Sequence, residues 1–157
     1  MLVIGAKGML GQEFVRQCRT TGQQDNRTTP EVIGWGREDL DITNEQEVME
    51  KIWALKPSVI FNCAAYNNVD KAEDEPEIAN AINGEAVGYF ARAASECRAT
   101  LVHFSTDYVF SGHGGKSTIV ENLPQYGYRE EDVPDPISKY GESKALGEQR
   151  LFSVFGH

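Results

Sequence analysis

The chain has 157 residues, of which 40% are hydrophobic and 25% charged, and its formal net charge is −9 at pH 7. This length suits one compact domain with a buried core and excludes two full domains. The composition is that of a globular protein and excludes disordered, collagen-like and fibrous classes. No apolar run approaches the roughly 18 residues that cross a bilayer, so a membrane span is excluded as well.

The acidic charge balance argues against partners with anionic surfaces, so we expect neither nucleic acid nor a membrane as a partner. The opening residues, MLVIG, lack the basic stretch of a secretory signal, and we therefore expect a cytoplasmic location. The cysteines are odd in number and lack metal-ligand spacing. We expect reduced, mostly buried thiols, with no disulfide and no metal site, at Cys18, Cys63 and Cys97.

Short apolar runs alternate with helical segments along the chain. The predicted strands cover residues 1–5, 31–35, 58–65 and 100–105, and the predicted helices cover 9–21, 43–56, 76–98 and 138–155. Thr43 with Gln46 forms a capping-box pattern, Pro57 ends that helix, and Gly156 is the predicted C-cap of the last helix. The alternation predicts an α/β fold, a Rossmann-type doubly wound parallel sheet with strand order 3-2-1-4.

A glycine turn, GAKGMLG, follows the first strand and opens an amphipathic helix, with Gly5, Gly8 and Gly11 at three-residue spacing. In a dinucleotide site the first glycine permits a tight turn, the second lets a pyrophosphate approach the backbone, and the third lets the helix lie close to the strand. This context favours a cofactor site over a glycine turn without a ligand.

The second strand ends in WGRED, where a dinucleotide site usually carries an acidic residue for the ribose. Arg37 stands there instead and would pair with a 2'-phosphate, which favours NADPH or the use of both cofactors. A solvated surface arginine is the equally weighted alternative.

Polar residues cluster where the fourth predicted strand ends, in FSTDYVFSG (104–112). Ligands of open α/β sheets bind beyond such strand ends. Farther along, YGESK places Tyr140 and Lys144 on one helix face, where an ammonium would lower the pKa of the phenol and suit it to acid catalysis. The alternatives are an exposed helix pair for Tyr140 and Lys144, and a bracing role for Ser105 and Tyr108.

Five motifs in fixed order resemble the extended short-chain dehydrogenase/reductase superfamily and, within it, the dTDP-4-dehydrorhamnose reductases. They are IGAKGMLGQE, DLDIT, NCAAYNNVDKAEDEPE, HFSTDYVFSG and YGESKALGE, and they cover essentially the whole chain. The resemblance implies an enzyme in which NADPH or NADH reduces the C4 ketone of a dTDP-linked 4-keto-6-deoxy sugar to give dTDP-L-rhamnose.

The resemblance also assigns roles to matching positions. Thr106 would hydrogen-bond the ketone beside Asp107 at the sugar, Tyr140 would donate the proton, and Lys144 would bind the nicotinamide ribose and tune the tyrosine. The positions along the cofactor would be Gly8, Met9 and Leu10 at the pyrophosphate, Asp41 and Ile42 at the adenine, and Ala64, Ala65 and Tyr66 at its inner edge. Lys71 matches the VDKAE signature of the family, with a helix-start salt bridge as the structural alternative.

Members of this family run to nearly twice this length. By that comparison residues 1–157 are an NAD(P)-binding Rossmann domain with the catalytic Thr, Tyr and Lys, truncated after the Tyr/Lys helix and without the C-terminal substrate domain. We expect weak cofactor binding, little turnover, and a homodimer formed through the exposed strand at 100–105. The segment 112–130 is longer than the family usually has and is expected to reshape the mouth of the site.

Two other functions share parts of this pattern. A non-catalytic NADP-binding regulatory subunit, like the beta subunit of methionine adenosyltransferase, would keep the nucleotide fold, and a nucleotide-sugar epimerase or dehydratase would share the Tyr and Lys. Intact Thr106, Tyr140 and Lys144 favour catalysis, and STDYVF and VDKAE favour the reductase.

Overall fold

The computed structural model describes residues 1–24, 31–112, 128–129 and 132–156. The strands are β1 (Leu2–Ile4), β2 (Ile33–Trp35), β3 (Val59–Asn62) and β4 (Thr100–His103). The helices are α1 (Met9–Gln24), α2 (Glu45–Leu55), α3 (Val69–Asp74), α4 (Pro76–Asn80), α5 (Ala86–Cys97) and α6 (Lys139–Phe155). A π-helical turn (Ala81–Glu85) joins α4 to α5, and a 3₁₀ turn (Asp107–Val109) follows β4.

Most of the predicted insertion at 112–130 lies outside the described residues. Within the described ranges, no helix combines the length and the apolar character needed to span a bilayer.

The four strands form one parallel sheet in the order β2-β1-β3-β4, which confirms the doubly wound α/β class. The predicted order 3-2-1-4 is wrong. Residues 36–44, which follow β2, fold into turns in which the Leu40 N–H donates to the Gly36 carbonyl at 3.2 Å. The next strand is therefore β3, and it pairs with the side of β1 that β2 leaves open. β4 lies at the edge of the described sheet, as predicted.

The main core lies on the sheet face that α2 and α5 cover. Leu2, Ile4 and Ile60 point to this face and are each at most 2% exposed. They pack against a cluster from the helices that includes Val48, Ile52, Phe90 and Ala94. The opposite face carries α1, whose Phe14 ring lies 4.7 Å from the Phe61 ring. Burying each large apolar side chain contributes roughly 1.5–3 kcal/mol, so these two layers hold the strands in register.

The start of α2 differs from the prediction by one residue. Asn44, not Thr43, is the N-cap, and its side-chain oxygen accepts the Glu47 N–H at 3.1 Å. The Thr43 prediction is wrong because the Asp41 carboxylate already accepts both the Thr43 N–H and the Thr43 hydroxyl. At the other end of α2, Lys56 adopts a left-handed conformation with φ 48° ahead of Pro57.

The helix predicted at 76–98 is interrupted by the π-helical turn, and α3 precedes it as an unpredicted short helix capped by Asn68. α6 agrees with its prediction, with Ser138 as N-cap and Gly156 as C-cap. The three cysteines are free thiols of intermediate burial, and Cys97 packs against the main core.

Candidate active site

A cleft of about 710 Å³ opens at the carboxyl ends of β1 and β3. The connection after β1 runs to β2 and the connection after β3 runs to β4, in opposite directions along the sheet, and open α/β sheets form ligand clefts at such a point. The lining includes seven of the predicted cofactor residues, namely Gly5, Gly8, Arg37, Asp41, Ile42, Ala64 and Ala65. The other predicted cofactor residues are not part of this lining, namely Met9, Leu10, Gly11, Tyr66, Tyr140 and Lys144.

Two of the three turn glycines are required by the backbone. Gly5 has φ +76°, and a Cβ there would lie 2.7 Å from the Ala64 nitrogen. A Cβ at Gly11 would lie 2.2 Å from the Gly5 carbonyl oxygen. At Gly8, which lines the cleft, a Cβ would approach the Gly5 oxygen only to 3.3 Å. The space over Gly8 is therefore open to a ligand at the start of α1.

The side chains of Met9 and Leu10 point away from the cleft. Met9 is 92% exposed and Leu10 42% exposed. Both are the first residues of α1, so their backbone amides are the groups that could bind a phosphate.

Charged side chains line the outer rim of the cleft. Arg37 is exposed there, and Lys7 forms a salt bridge with Glu38. The hydrogen bond to Glu38 raises the pKa of Lys7, and the same bond lowers the pKa of Glu38. The pKa of Asp41 is lowered because its carboxylate accepts from the Thr43 side chain and backbone. Sequence reasoning missed Lys7 and Glu38, although a lysine inside the glycine motif is a visible signal.

Thr106 and Tyr140 are brought together just beyond β4. Thr106 caps the 3₁₀ turn, accepting the Tyr108 N–H at 3.3 Å and donating to the Asp107 carboxylate at 3.2 Å. The Tyr108 and Tyr140 rings meet edge to face with centroids 5.7 Å apart. Burial raises the pKa of Tyr140, while a hydrogen bond with Thr106 acts in the opposite direction. The net shift is upward, contrary to the expectation of a lowered pKa, so the phenol holds its proton at neutral pH.

Lys144 lies one turn farther along α6 and is 3% exposed. Its ammonium donates to the Phe104 carbonyl, which fixes it against the end of β4. Burial lowers the pKa of Lys144, and the Glu148 carboxylate opposes this shift. Ser105 donates to Glu148, so it braces α6 against the strand end, in agreement with the alternative given for this residue.

A buried asparagine that sequence reasoning missed connects the cleft to α6. The Asn83 carbonyl oxygen accepts the Tyr66 N–H at 2.8 Å, and its amide donates to the Tyr66 carbonyl and the Ser143 hydroxyl, each at 3.0 Å. Ser143 donates in turn to the Tyr140 carbonyl at 2.7 Å. Asn83 is 1% exposed and lies in the π-helical turn, a feature often found at functional sites. An asparagine inside a predicted helix gave no signal of this role.

A second missed pair joins the ends of β3 and β4. The Asn62 side-chain oxygen accepts the Ala64 N–H at 3.1 Å, and its amide faces Nδ1 of His103 at 3.1 Å. Burial first and the Lys144 charge second lower the pKa of His103 to about 4, so its ring is neutral at physiological pH. The sequence signal for this pair was Asn62, a polar residue at the end of the apolar run VIFN.

Lys71 forms a salt bridge within α3 and its C-cap, which agrees with the structural role that the sequence analysis gave as the alternative to a family-specific one. Its ammonium lies 2.8 Å from the Glu75 carboxylate, which also accepts the Tyr66 hydroxyl at 3.0 Å. The cluster holds the segment after β3 against α3.

The parallel sheet, the glycine turn at its switch point and the Tyr/Lys helix define a Rossmann-type α/β protein. The family model described as "RmlD substrate binding domain" matches residues 1–154, and the chain belongs to that family.

Several relatives are named dTDP-4-dehydrorhamnose reductase. The chain is 39% identical over 153 residues to the dTDP-4-dehydrorhamnose reductase of Streptomyces griseus, covering 98% of this chain and 45% of that protein. It is 41% identical over 151 residues to the enzyme of that name from Escherichia coli strain K12, covering 96% of this chain and 46% of that protein. The chain thus spans about half the length of the curated relatives it matches.

Solved structures agree with this assignment. The dTDP-4-dehydrorhamnose reductase of Bacillus anthracis in complex with NADP superposes with a TM-score of 0.80 and 33% identity, covering 98% of this chain and 48% of that one. The orthologue from Clostridium acetobutylicum superposes with a TM-score of 0.81 and 35% identity, covering 98% and 49%.

Proposed function

We propose that this chain is the cofactor-binding and catalytic part of a dTDP-4-dehydrorhamnose reductase. It would use NADPH or NADH to reduce the 4-keto group of dTDP-4-dehydro-6-deoxy-L-mannose to dTDP-L-rhamnose, a step of nucleotide-sugar and cell-surface polysaccharide biosynthesis in the cytoplasm. The observation that carries the proposal is the position of Thr106 and Tyr140 beyond the end of β4, where Tyr140 packs on the ring of Tyr108, the residue whose N–H Thr106 accepts, in a chain of this family.

The cleft fits a dinucleotide. The open space over Gly8, together with the first amides of α1, suits a pyrophosphate, and Asp41 and Ile42 line the side on which the adenine would lie. When bound, the nicotinamide supplies the hydride for the reduction. Ala64, Ala65 and the Tyr66 segment would then border the inner part of the cofactor, with Lys144 at its ribose.

The two hydroxyls of Thr106 and Tyr140 are the groups that would receive the ketone oxygen. A hydride arriving at the carbonyl carbon leaves negative charge on that oxygen, and hydroxyl donors stabilise this charge more than they stabilise the neutral ketone. The Tyr140 phenol would be the proton donor; burial raises its pKa in this structure, which keeps the phenol protonated but makes it a weaker acid than the sequence predicted. By the family pattern the cation of Lys144 would stabilise the phenolate that remains, and Asp107 would contact the sugar.

For residues 1–157 by themselves we also propose weak cofactor affinity, slow turnover, and self-association into a homodimer through β4. The names of the relatives favour the reductase over the regulatory-subunit and epimerase alternatives.

Tyr140→Phe tests the proposal. NADPH affinity is measured by fluorescence titration, and dTDP-L-rhamnose formation from the keto-sugar is followed by chromatography with mass detection over long incubations. We expect slow product formation by the natural chain and none by Tyr140→Phe, with NADPH affinity unchanged. Tyr108→Phe, which alters the neighbouring ring, is the matched control and should keep activity. Absence of both NADPH binding and product in the natural chain would refute the proposal.

A further inference from the structure

The turn after β2 brings a carboxylate back to the end of that strand. β2 ends at Trp35, and the next residue, Gly36, has no side chain. A Cβ at Gly36 would lie 2.8 Å and 3.0 Å from the two carboxylate oxygens of Glu38. Glu38 therefore folds back over the strand end, and its carboxylate occupies the space that an acidic side chain at position 36 would fill.

Hydrogen bonds within the turn hold Glu38 in this position. The Gly36 N–H donates to the Asp39 carboxylate at 2.8 Å, and the Asp39 N–H donates to the Gly36 carbonyl at 3.1 Å. The Lys51 ammonium donates to the Asp39 carbonyl, which ties the turn to α2. The residue between these anchors, Glu38, lines the cofactor cleft.

Lys7 holds the Glu38 carboxylate from the glycine turn. The two side chains form a salt bridge and are 74% and 52% exposed, so a ligand in the cleft can reach both. The hydrogen bond to Lys7 lowers the pKa of Glu38, and both groups are charged at neutral pH. The salt bridge thus joins the turn that would bind a pyrophosphate to the strand end that would face the adenosine ribose.

NADH and NADPH differ at the ribose 2'-position, and a carboxylate there acts differently on each. The 2'-hydroxyl of NADH can donate a hydrogen bond to it, which is the usual role of an acidic residue at the end of the second strand. The 2'-phosphate of NADPH carries about two negative charges at pH 7 and is repelled by it. Lys7 and Arg37, which also line the cleft, attract the same phosphate.

We propose that Glu38 sets the preference between NADH and NADPH, with Lys7 as its counterion. When NADH binds, Glu38 accepts the ribose 2'-hydroxyl and keeps its salt bridge with Lys7. When NADPH binds, the 2'-phosphate displaces the carboxylate from Lys7 and pairs with Lys7 and Arg37. The inference rests on the cofactor site of the proposed function and concerns binding at its adenosine end.

The natural chain should bind both cofactors on this account. The contact that NADPH breaks is an exposed salt bridge, and such pairs contribute little free energy. The phosphate gains two cations in exchange, whereas NADH gains a hydrogen bond to a charged acceptor. Neither cofactor is therefore excluded, and the charge at position 38 decides the ratio of their affinities.

Glu38→Gln tests this role, because it keeps the length of the side chain and removes its charge. Fluorescence titration of the full chain gives Kd for NADH and for NADPH. The ratio of affinities should shift towards NADPH by about three- to tenfold, the effect expected of one exposed charge beside a phosphate. Glu13→Gln is the matched control and should leave the ratio unchanged, since Glu13 forms an exposed salt bridge with Arg16 on α1 and does not line the cleft.

Lys7→Gln should act in the opposite direction and weaken NADPH more than NADH, because the phosphate loses a cation and Glu38 loses its counterion. Arg16→Gln is the control for this change. Adenosine 2',5'-bisphosphate and adenosine 5'-monophosphate, used as competitors, differ only in the 2'-phosphate. Their affinities should follow the same pattern in every variant, which locates the effect at the adenosine end.

Failure of this inference and failure of the proposed function give different results. If the natural chain binds both cofactors and Glu38→Gln leaves their affinity ratio unchanged or shifts it towards NADH, the role of Glu38 is overturned and the cofactor site stands. If the natural chain binds neither the cofactors nor the two adenosine nucleotides, the cofactor site and this inference are overturned together.

Discussion

Gly8 differs from the other two glycines of its turn in what surrounds the missing side chain. A Cβ at Gly11 would collide with a backbone oxygen at 2.2 Å, whereas one at Gly8 would meet the same oxygen at 3.3 Å and face the cleft. The fold requires a glycine at position 11, whereas at position 8 a glycine leaves room for a ligand.

Gly8→Ala should therefore leave the thermal unfolding temperature nearly unchanged and weaken NADPH binding several-fold, because the new methyl group stands where a pyrophosphate would approach. Gly11→Ala should reduce the free energy of unfolding by at least about 2 kcal/mol, through overpacking against backbone. Thermal melts and fluorescence titrations of both variants measure the difference. Equal NADPH affinity in Gly8→Ala and the natural chain would contradict the assigned role of this position.

Arg37 and the Lys7–Glu38 pair share the outer rim of the cleft. Arg37→Asp should selectively weaken NADPH relative to NADH, because the added carboxylate repels the 2'-phosphate that arginine would bind. Parallel titrations with both cofactors measure this ratio, and Arg16→Asp on the exposed face of α1 is the control. An equal loss for both cofactors would point to a structural role for Arg37.

His103 links stability to pH. Its pKa falls from 6.5 to about 4 in the folded chain, so between these values the unfolded chain binds a proton that the folded chain does not. Stability therefore rises with pH across this window and is lost as pH falls from 6.5 towards 4, by up to about 3 kcal/mol.

Urea denaturation at several pH values measures this dependence, and His103→Gln, which does not titrate, should lack it. The difference between the two proteins isolates the imidazole from carboxylates that titrate at lower pH. If the free energy of unfolding changes with pH equally in the natural chain and in His103→Gln, the imidazole is solvated in the native chain.

At the scale of elements, α6 and the π-helical turn are packed backbone to backbone. A Cβ at Gly147 would lie 2.2 Å from the Asn83 carbonyl oxygen, in the turn that also holds Tyr66. Glycine in a helix interior normally costs about 1 kcal/mol relative to alanine, so its presence here reflects this close approach.

Gly147→Ala should accordingly destabilise the chain by about 1–3 kcal/mol despite its better helix propensity. Ser153→Ala in the exposed last turns of α6 is the control and should be close to neutral. Chemical denaturation measures both. A Gly147→Ala chain that is more stable than the natural one would show that the helices separate easily.

The elements that periodicity predicted well are those that a local sequence pattern defines. The strands β1 to β4 were predicted from their apolar runs and the C-terminal end of α6 from Gly156, whereas its N-cap, Ser138, was not predicted. Strand order was not predictable, because it depends on whether residues 36–44 form a strand or turns, and that is decided by contacts such as Gly36 with Asp39.

Some residues of the candidate site were predictable from the sequence and others were not. Residues of the glycine turn and of the segment after β3 were predicted from motifs and meet in one cleft. Asn83 and His103 were not, because their roles come from partners 17 and 41 residues away in sequence. The raised pKa of Tyr140 was also missed, since burial is a property of the packed chain.

For the molecule as a whole, the exposed edge predicts concentration-dependent behaviour. The isolated chain should self-associate through β4, and light scattering across a wide concentration range should show a rising average mass. Val102→Asp should shift this rise to higher concentration, with Trp53→Asp as the control. A monodisperse monomer at all concentrations would contradict the expectation.

The position of the cleft at the junction of β1 and β3 has a consequence for modularity. Nearly every group that would hold the adenosine portion of a coenzyme comes from the first seventy residues, two strands inward from the open edge, whereas the groups that would transform a sugar stand on the border strand and its helix. The groups that would bind the adenosine are therefore separated, both along the chain and across the sheet, from the groups that would act on a sugar, so substitutions in one set should leave the other set in place.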